Sequence, residues 1–178
     1  MTAAPSTSHE PVPPLAWGAL TFDPAIWIYT TVTLMSLLVV FDGWGELAGP
    51  AGIVIVVVGP TIALAIAHVF ADAIGHTIHG SSRPGRHLAA DLALDALQYL
   101  LVAVPPLIAL ALASAVFHQS PLESIRSMLV LGTLSLGFWG GAAGWRGGYR
   151  GWALALTVVG GLVVGLVVFA FQLVLKPH

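Results

Sequence analysis

Cysteine is absent and lysine nearly so: in 178 residues there is no Cys, and Lys176 is the lone lysine. The first absence excludes disulfides, thiolate zinc sites, iron–sulfur clusters and thiol nucleophiles. Charge of either sign is also scarce. Six Lys plus Arg and eight Asp plus Glu make up 8% of the chain, about a third of the ~25% typical of a soluble domain. The few basic residues form no cluster that could follow a phosphate backbone, which excludes nucleic acid as a partner. There is no phosphate-cradling loop, dinucleotide fingerprint, serine elbow or zincin His-Glu-x-x-His, so the motifs support no enzyme class. What is abundant is apolar surface. Hydrophobic residues make up 57% of the chain, glycines number 20 and the mean hydropathy is +0.93. Several apolar runs reach the ~20 residues needed to cross a hydrocarbon core ~30 Å thick. The solvent expected for this chain is a lipid bilayer.

Reading each run until a polar or Gly/Pro-rich break stops it predicts an all-α bundle of about five transmembrane helices. The spans fall at 24–41, 51–72, 96–117, 124–145 and 151–175, within one transmembrane domain over 23–178. Residues 1–22 carry Pro5, Pro11, Pro13 and Pro14 and lack a positively charged start, so they read as a flexible, irregular tail with no cleavable signal peptide. Asp23-Pro24 forms an N-cap and N1 pair for the first span. Gly59-Pro60 and Pro105-Pro106 should kink or loosen the second and third spans, because proline removes an amide donor and its ring clashes with the preceding turn.

Arg83, Arg86, Arg146 and Arg150 fall on one side of this topology, against Arg126 and Lys176 on the other. The bias predicts a cytoplasmic N-terminus and an external C-terminus in an inner (plasma) membrane. Trp27, Trp44, Trp145 and Trp152 lie near span ends, where interfacial anchors belong, and Trp139 lies deeper as a packing residue. Glu123 reads as a first-turn carboxylate with Arg126 as its i+3 partner. Gln98, Thr133 and Gln172 are candidates for interhelical hydrogen bonds.

Small residues recur every fourth position at Ala63, Ala67 and Ala71, at Gly140 and Gly144, and at Gly161 and Gly165. Such stripes let backbones approach closely, which drives association when lipid is as apolar as leucine. They fit packing inside the bundle or docking of a partner subunit.

One polar stripe interrupts the apolar pattern. At ~100° per residue, His68, Asp72, His76 and His79 fall within about 80° of one another on a helix, over roughly 16 Å. The chain then turns back through His87, Asp91 and Asp95, again at four-residue spacing, so two polar faces could meet across an antiparallel pair. Ionisable groups near a bilayer are costly unless paired, hydrated or functional. No cofactor is expected from the motifs, although imidazole and carboxylate at this spacing make a divalent metal such as zinc chemically feasible. The same pair could relay protons or sense pH. The reading favoured for the stripe is a hydrated or partner-facing face of a helix projecting from the membrane, its carboxylates paired with His or Arg.

The Ala67-His68-Val69-Phe70-Ala71 segment leading to a glycine turn, Pro105-Pro106 inside the third span, and the terminal Leu175-Lys176-Pro177-His178 together resemble a family of small actinobacterial multi-pass membrane proteins. The likeness covers most of residues 50–178 and brings no catalytic residues with it. The chain is also similar in size and character to accessory subunits of the mycobacterial Mce lipid importers. That resemblance implies a non-enzymatic accessory subunit bound to other membrane subunits. The alternative is a metal-binding or metal/proton-translocating membrane protein built on the His/Asp stripe.

Overall fold

Asp23 starts the first membrane helix in the computed structural model, which describes residues 15–17, 20–44, 47, 49–78 and 85–175. For residues 15–22, 76–78, 85–91, 172, 173 and 175 it describes the backbone alone. The Asp23 carboxylate accepts the Ala25 amide at 2.9 Å, and Pro24 takes a position whose amide has no helical partner anyway. Helix α1 then runs Pro24–Gly43. Where an irregular tail is expected, Leu15–Trp17 and Leu20–Phe22 pair as an antiparallel hairpin, β1 and β2, with Leu15 opposite Phe22.

Five more helices follow: α2 (Pro50–Ile78), α3 (Gly85–Val102), α4 (Val104–Ala115), α5 (Pro121–Arg146) and α6 (Trp152–Leu175). Among the described residues five segments are long and apolar enough to cross a membrane, with α3 and α4 sharing the third, Leu92–Ala115. The protein is a multi-pass helical membrane protein. Helix α1 is its hub, packing against α2, α3, α5 and α6. Its buried face, Trp27, Thr31, Leu34, Met35 and Leu38, follows the helical period. About 44% of its most apolar stretch is buried, against 11% for α6, so α6 lies at the lipid-facing margin.

The two proline sites behave differently. Pro105 and Pro106 end α3 at a turn on Ala103, because neither can donate to the carbonyls of Leu101 and Val102. Helix α2 runs through Pro60 unbroken, and the buried Thr61 hydroxyl donates to the carbonyls of Val58 at 2.8 Å and Val57 at 3.2 Å beside the lost bond. At 29 residues α2 is about 43 Å long, longer than the ~30 Å hydrocarbon core.

Several sequence expectations are corrected. Helix α5 begins at Pro121 rather than 124, because Ser120 and Glu123 close a capping box: the Ser120 amide donates to Glu123 Oε2 at 2.8 Å, and the Glu123 amide to Ser120 Oγ at 3.4 Å. Ser120 supplies the hydrogen bonds to Glu123, and Arg126, three residues on, adds a smaller electrostatic attraction. Trp27 is an interior residue, 9% exposed, with its ring stacked on Trp139 at 4.7 Å, whereas Trp44, Trp145 and Trp152 are exposed as anchors should be. Thr133 donates to Leu129 of its own helix at 2.9 Å and so makes no interhelical bond through its hydroxyl.

The glycine stripes are turned inward. A Cβ at Gly140 would lie 2.6 Å from the Thr157 carbonyl, and one at Gly165 would lie 2.8 Å from Thr133 Cα. Gly144 faces the Thr157 side chain and Gly161 the Leu136 carbonyl. Gly140, Gly144, Gly161 and Gly165 are therefore consumed in packing α5 on α6, and of the small residues expected to pack or meet a partner it is Ala63, Ala67 and Ala71 on α2 that are exposed.

Candidate functional site

Helices α2 and α3 are antiparallel neighbours, so the end of α2 lies beside the start of α3. This places the two polar faces together. His68 Nε2 and Asp72 Oδ2, one turn apart on α2, are 3.1 Å from each other. Their side chains are 31% and 36% exposed, which makes them an accessible pair at the bundle margin rather than a sealed one. Asp95 approaches from α3. One ligand atom each from His68, Asp72 and Asp95 lies within 4.8 Å of the others.

Neighbouring side chains fix this cluster. The His68 imidazole leans on the Tyr99 ring, with centroids 4.9 Å apart and planes at 50°. Tyr99 is buried, so it forms a wall that limits imidazole rotation. Gln98, also buried, donates to Asp95 Oδ1 at 3.5 Å and accepts the Asp23 amide at 3.0 Å. The N-cap residue of α1 is thereby tied to the carboxylate-bearing turn of α3. Gln98 fulfils the expected interhelical bond; Gln172 has no described side chain.

Of the seven residues singled out for metal, the structure brings together His68, Asp72 and Asp95. His76 lies on the helical part of α2, and His87 and Asp91 lie on α3, with their side chains outside the described residues; His79 is outside them altogether. Sequence reading missed Tyr99 and the part played by Gln98. A signal for Tyr99 exists, since it continues the four-residue ladder of His87, Asp91 and Asp95.

Two atoms bound to one ion at ~2.1 Å can be at most ~4.2 Å apart. The observed limit of 4.8 Å is therefore closed by a side-chain shift of about half an ångström. Counting these three groups alone, a protonated His68 leaves a net charge of −1, whereas a divalent ion with neutral His68 brings the sum to zero. Comparison with protein-family models, curated proteins and solved structures finds no match to this chain.

Proposed function

We propose that this membrane protein binds a divalent cation, with zinc as the reference ion, through His68, Asp72 and Asp95 at the α2–α3 end of the bundle. The observation that carries the reading is the convergence of an imidazole and two carboxylates from two helices within 4.8 Å. An i,i+4 ion pair needs only one helix, and an exposed one contributes only ~0.2–1 kcal/mol. The second carboxylate supplies what an ion site adds to such a pair. Tyr99 and Gln98 hold the three ligands in place in this reading. Isothermal titration of the full chain in mild detergent tests the proposal. One zinc ion per chain is expected, with affinity about tenfold or more weaker, or 1.4 kcal/mol, in Asp95→Asn. Equal binding by His68→Ala, Asp95→Asn and the unaltered chain would end it.

A second reading is an accessory subunit of a larger inner-membrane complex, of which an Mce-type lipid importer is the leading example, with the N-terminus cytoplasmic. It is favoured by Ala63 and Ala67, which stay exposed on α2 beside the open Gly59, where a Cβ meets nothing within 4 Å. A helix from another subunit could approach closely there. Native mass spectrometry of the tagged chain from its own membranes decides this. A companion of fixed stoichiometry that is lost in Ala63→Leu supports the reading, and a chain that always runs alone removes it.

A further inference from the structure

Where α1 meets the α5–α6 pair there is an apolar groove of about 380 Å³, lined by glycines of both helices. Gly140 and Gly144 of α5 and Gly160 and Gly161 of α6 form its floor, and Ile28 and Val164 are among its apolar walls. From Leu136 to Gly144 it follows α5 for about 12 Å. Its polar side chain on α6, Thr157, turns its hydroxyl back to the Leu154 carbonyl at 2.8 Å, so the groove offers little that would hold water. One end opens at Tyr149, in the loop joining the two helices.

That loop is basic. Residues 145–152 read Trp-Arg-Gly-Gly-Tyr-Arg-Gly-Trp and contain two arginines and no acid. Arg150 is held in place: its Nη1 donates to the carbonyls of Tyr149 at 2.9 Å and Trp145 at 3.2 Å, and its guanidinium carbon lies 5.9 Å from the Trp145 ring centre. Guanidinium carries five N–H donors in a planar fork, so among the described residues the Nε and Nη2 edge is left for an oxyanion. Helix α6 begins beside it at Trp152, with first-turn amides that have no helical acceptor and no acidic residue in that turn. Exposed Trp145 and Trp152 mark this end as the level of the lipid headgroups.

We propose that the groove holds one acyl chain of an anionic phospholipid whose phosphate is bound by Arg150 and the first amides of α6. A second copy of the chain fits less well. Two-fold symmetry would bring the same basic loops face to face, and like charges so placed repel. The site is separate from the His68 cluster, so the two proposals stand or fall independently.

Native mass spectrometry of the full chain, stripped of lipid in mild detergent and supplied with phosphatidylglycerol or phosphatidylcholine of the same acyl chains, tests this. Phosphatidylglycerol is expected to be retained about tenfold better. Arg150→Gln, a change on an exposed loop, should bring the two lipids to near equality. Gly160→Phe should exclude both, because a Cβ at Gly160 meets nothing within 4 Å and the ring can enter the groove without displacing a helix. Equal retention of the two lipids by the unaltered chain, or undiminished lipid on Gly160→Phe with an unchanged unfolding midpoint, overturns the proposal. So does a dimer that Gly160→Phe dissociates, since the occupant is then a second copy.

Discussion

The α5–α6 pair and the α2–α3 pair are both antiparallel neighbours, yet opposite kinds of contact hold them. In α5–α6 the side chains are removed: Gly140, Gly144, Gly161 and Gly165 let one backbone rest on the other or on Thr157 and Thr133. In α2–α3 the side chains are the contact, with His68 on Tyr99 and Asp95 near Asp72. Close backbone packing gains dispersion over a wide area and tolerates no added atoms. Polar side chains at a membrane-facing margin gain less and can rearrange when an ion or proton arrives. The comparison separates a close-packed part of the bundle from a polar, partly exposed one.

The largest expected effect comes from giving the tight pair a side chain. Gly161→Leu drives new atoms into the Leu136 backbone, and about 3 kcal/mol or more of stability should be lost. Thermal unfolding followed by tryptophan fluorescence would register this, since the Trp27–Trp139 stack lies in the same bundle. A midpoint within error of the parent would show that α5 and α6 are not locked by glycine. A similar insult to the other pair should do much less. Asp95→Asn keeps a hydrogen-bonding group beside Gln98, so the fold should survive while zinc binding weakens about tenfold, or 1.4 kcal/mol. If Asp95→Asn unfolds the chain as readily as Gly161→Leu does, the division between the two regions collapses. The smallest effect is local to the start of α5. Ser120→Ala removes one half of the capping box and should cost about 1 kcal/mol, seen as a small drop in midpoint with zinc binding unchanged.

Five spans could be read from the sequence because lipid leaves a chain few options: each crossing must be helical and apolar for its whole length. Their ends were harder. The charge on Asp95 sets the expected start of the third span at 96, yet the apolar segment extends back to Leu92, with Asp95 inside it and hydrogen-bonded to Gln98. The fourth span starts three residues early because Ser120 and Glu123 satisfy the first-turn amides, a local pattern that hydropathy does not measure. Trp27 was misread for a physical reason: a tryptophan near a span end suits an interface or a core equally, and only the position of Trp139 decides. Whether a glycine stripe faces a sister helix or a stranger is likewise invisible, since lipid and protein interior are nearly equally apolar. At the candidate site His68, Asp72 and Asp95 were legible as a four-residue ladder. Tyr99 was not, because inside an apolar run a tyrosine looks like one more hydrophobe.

The turn at Ala103 divides the third crossing into two bodies with different attachments. The inner piece, α3, lies mainly against α2, and α4 lies mainly against α5. Where the prolines interrupt the ladder, the Leu101 and Val102 carbonyls have no amide four residues on, and the turn keeps the Ala103 amide on the Leu100 carbonyl at 3.1 Å, so the joint carries fewer hydrogen bonds than a continuous helix. The joint therefore separates what seats α4 on α5 from what places Asp95 and Tyr99 beside α2. The third crossing is thus two rods set end to end, each seated on a different neighbour, and only one of them carries a carboxylate of the candidate site.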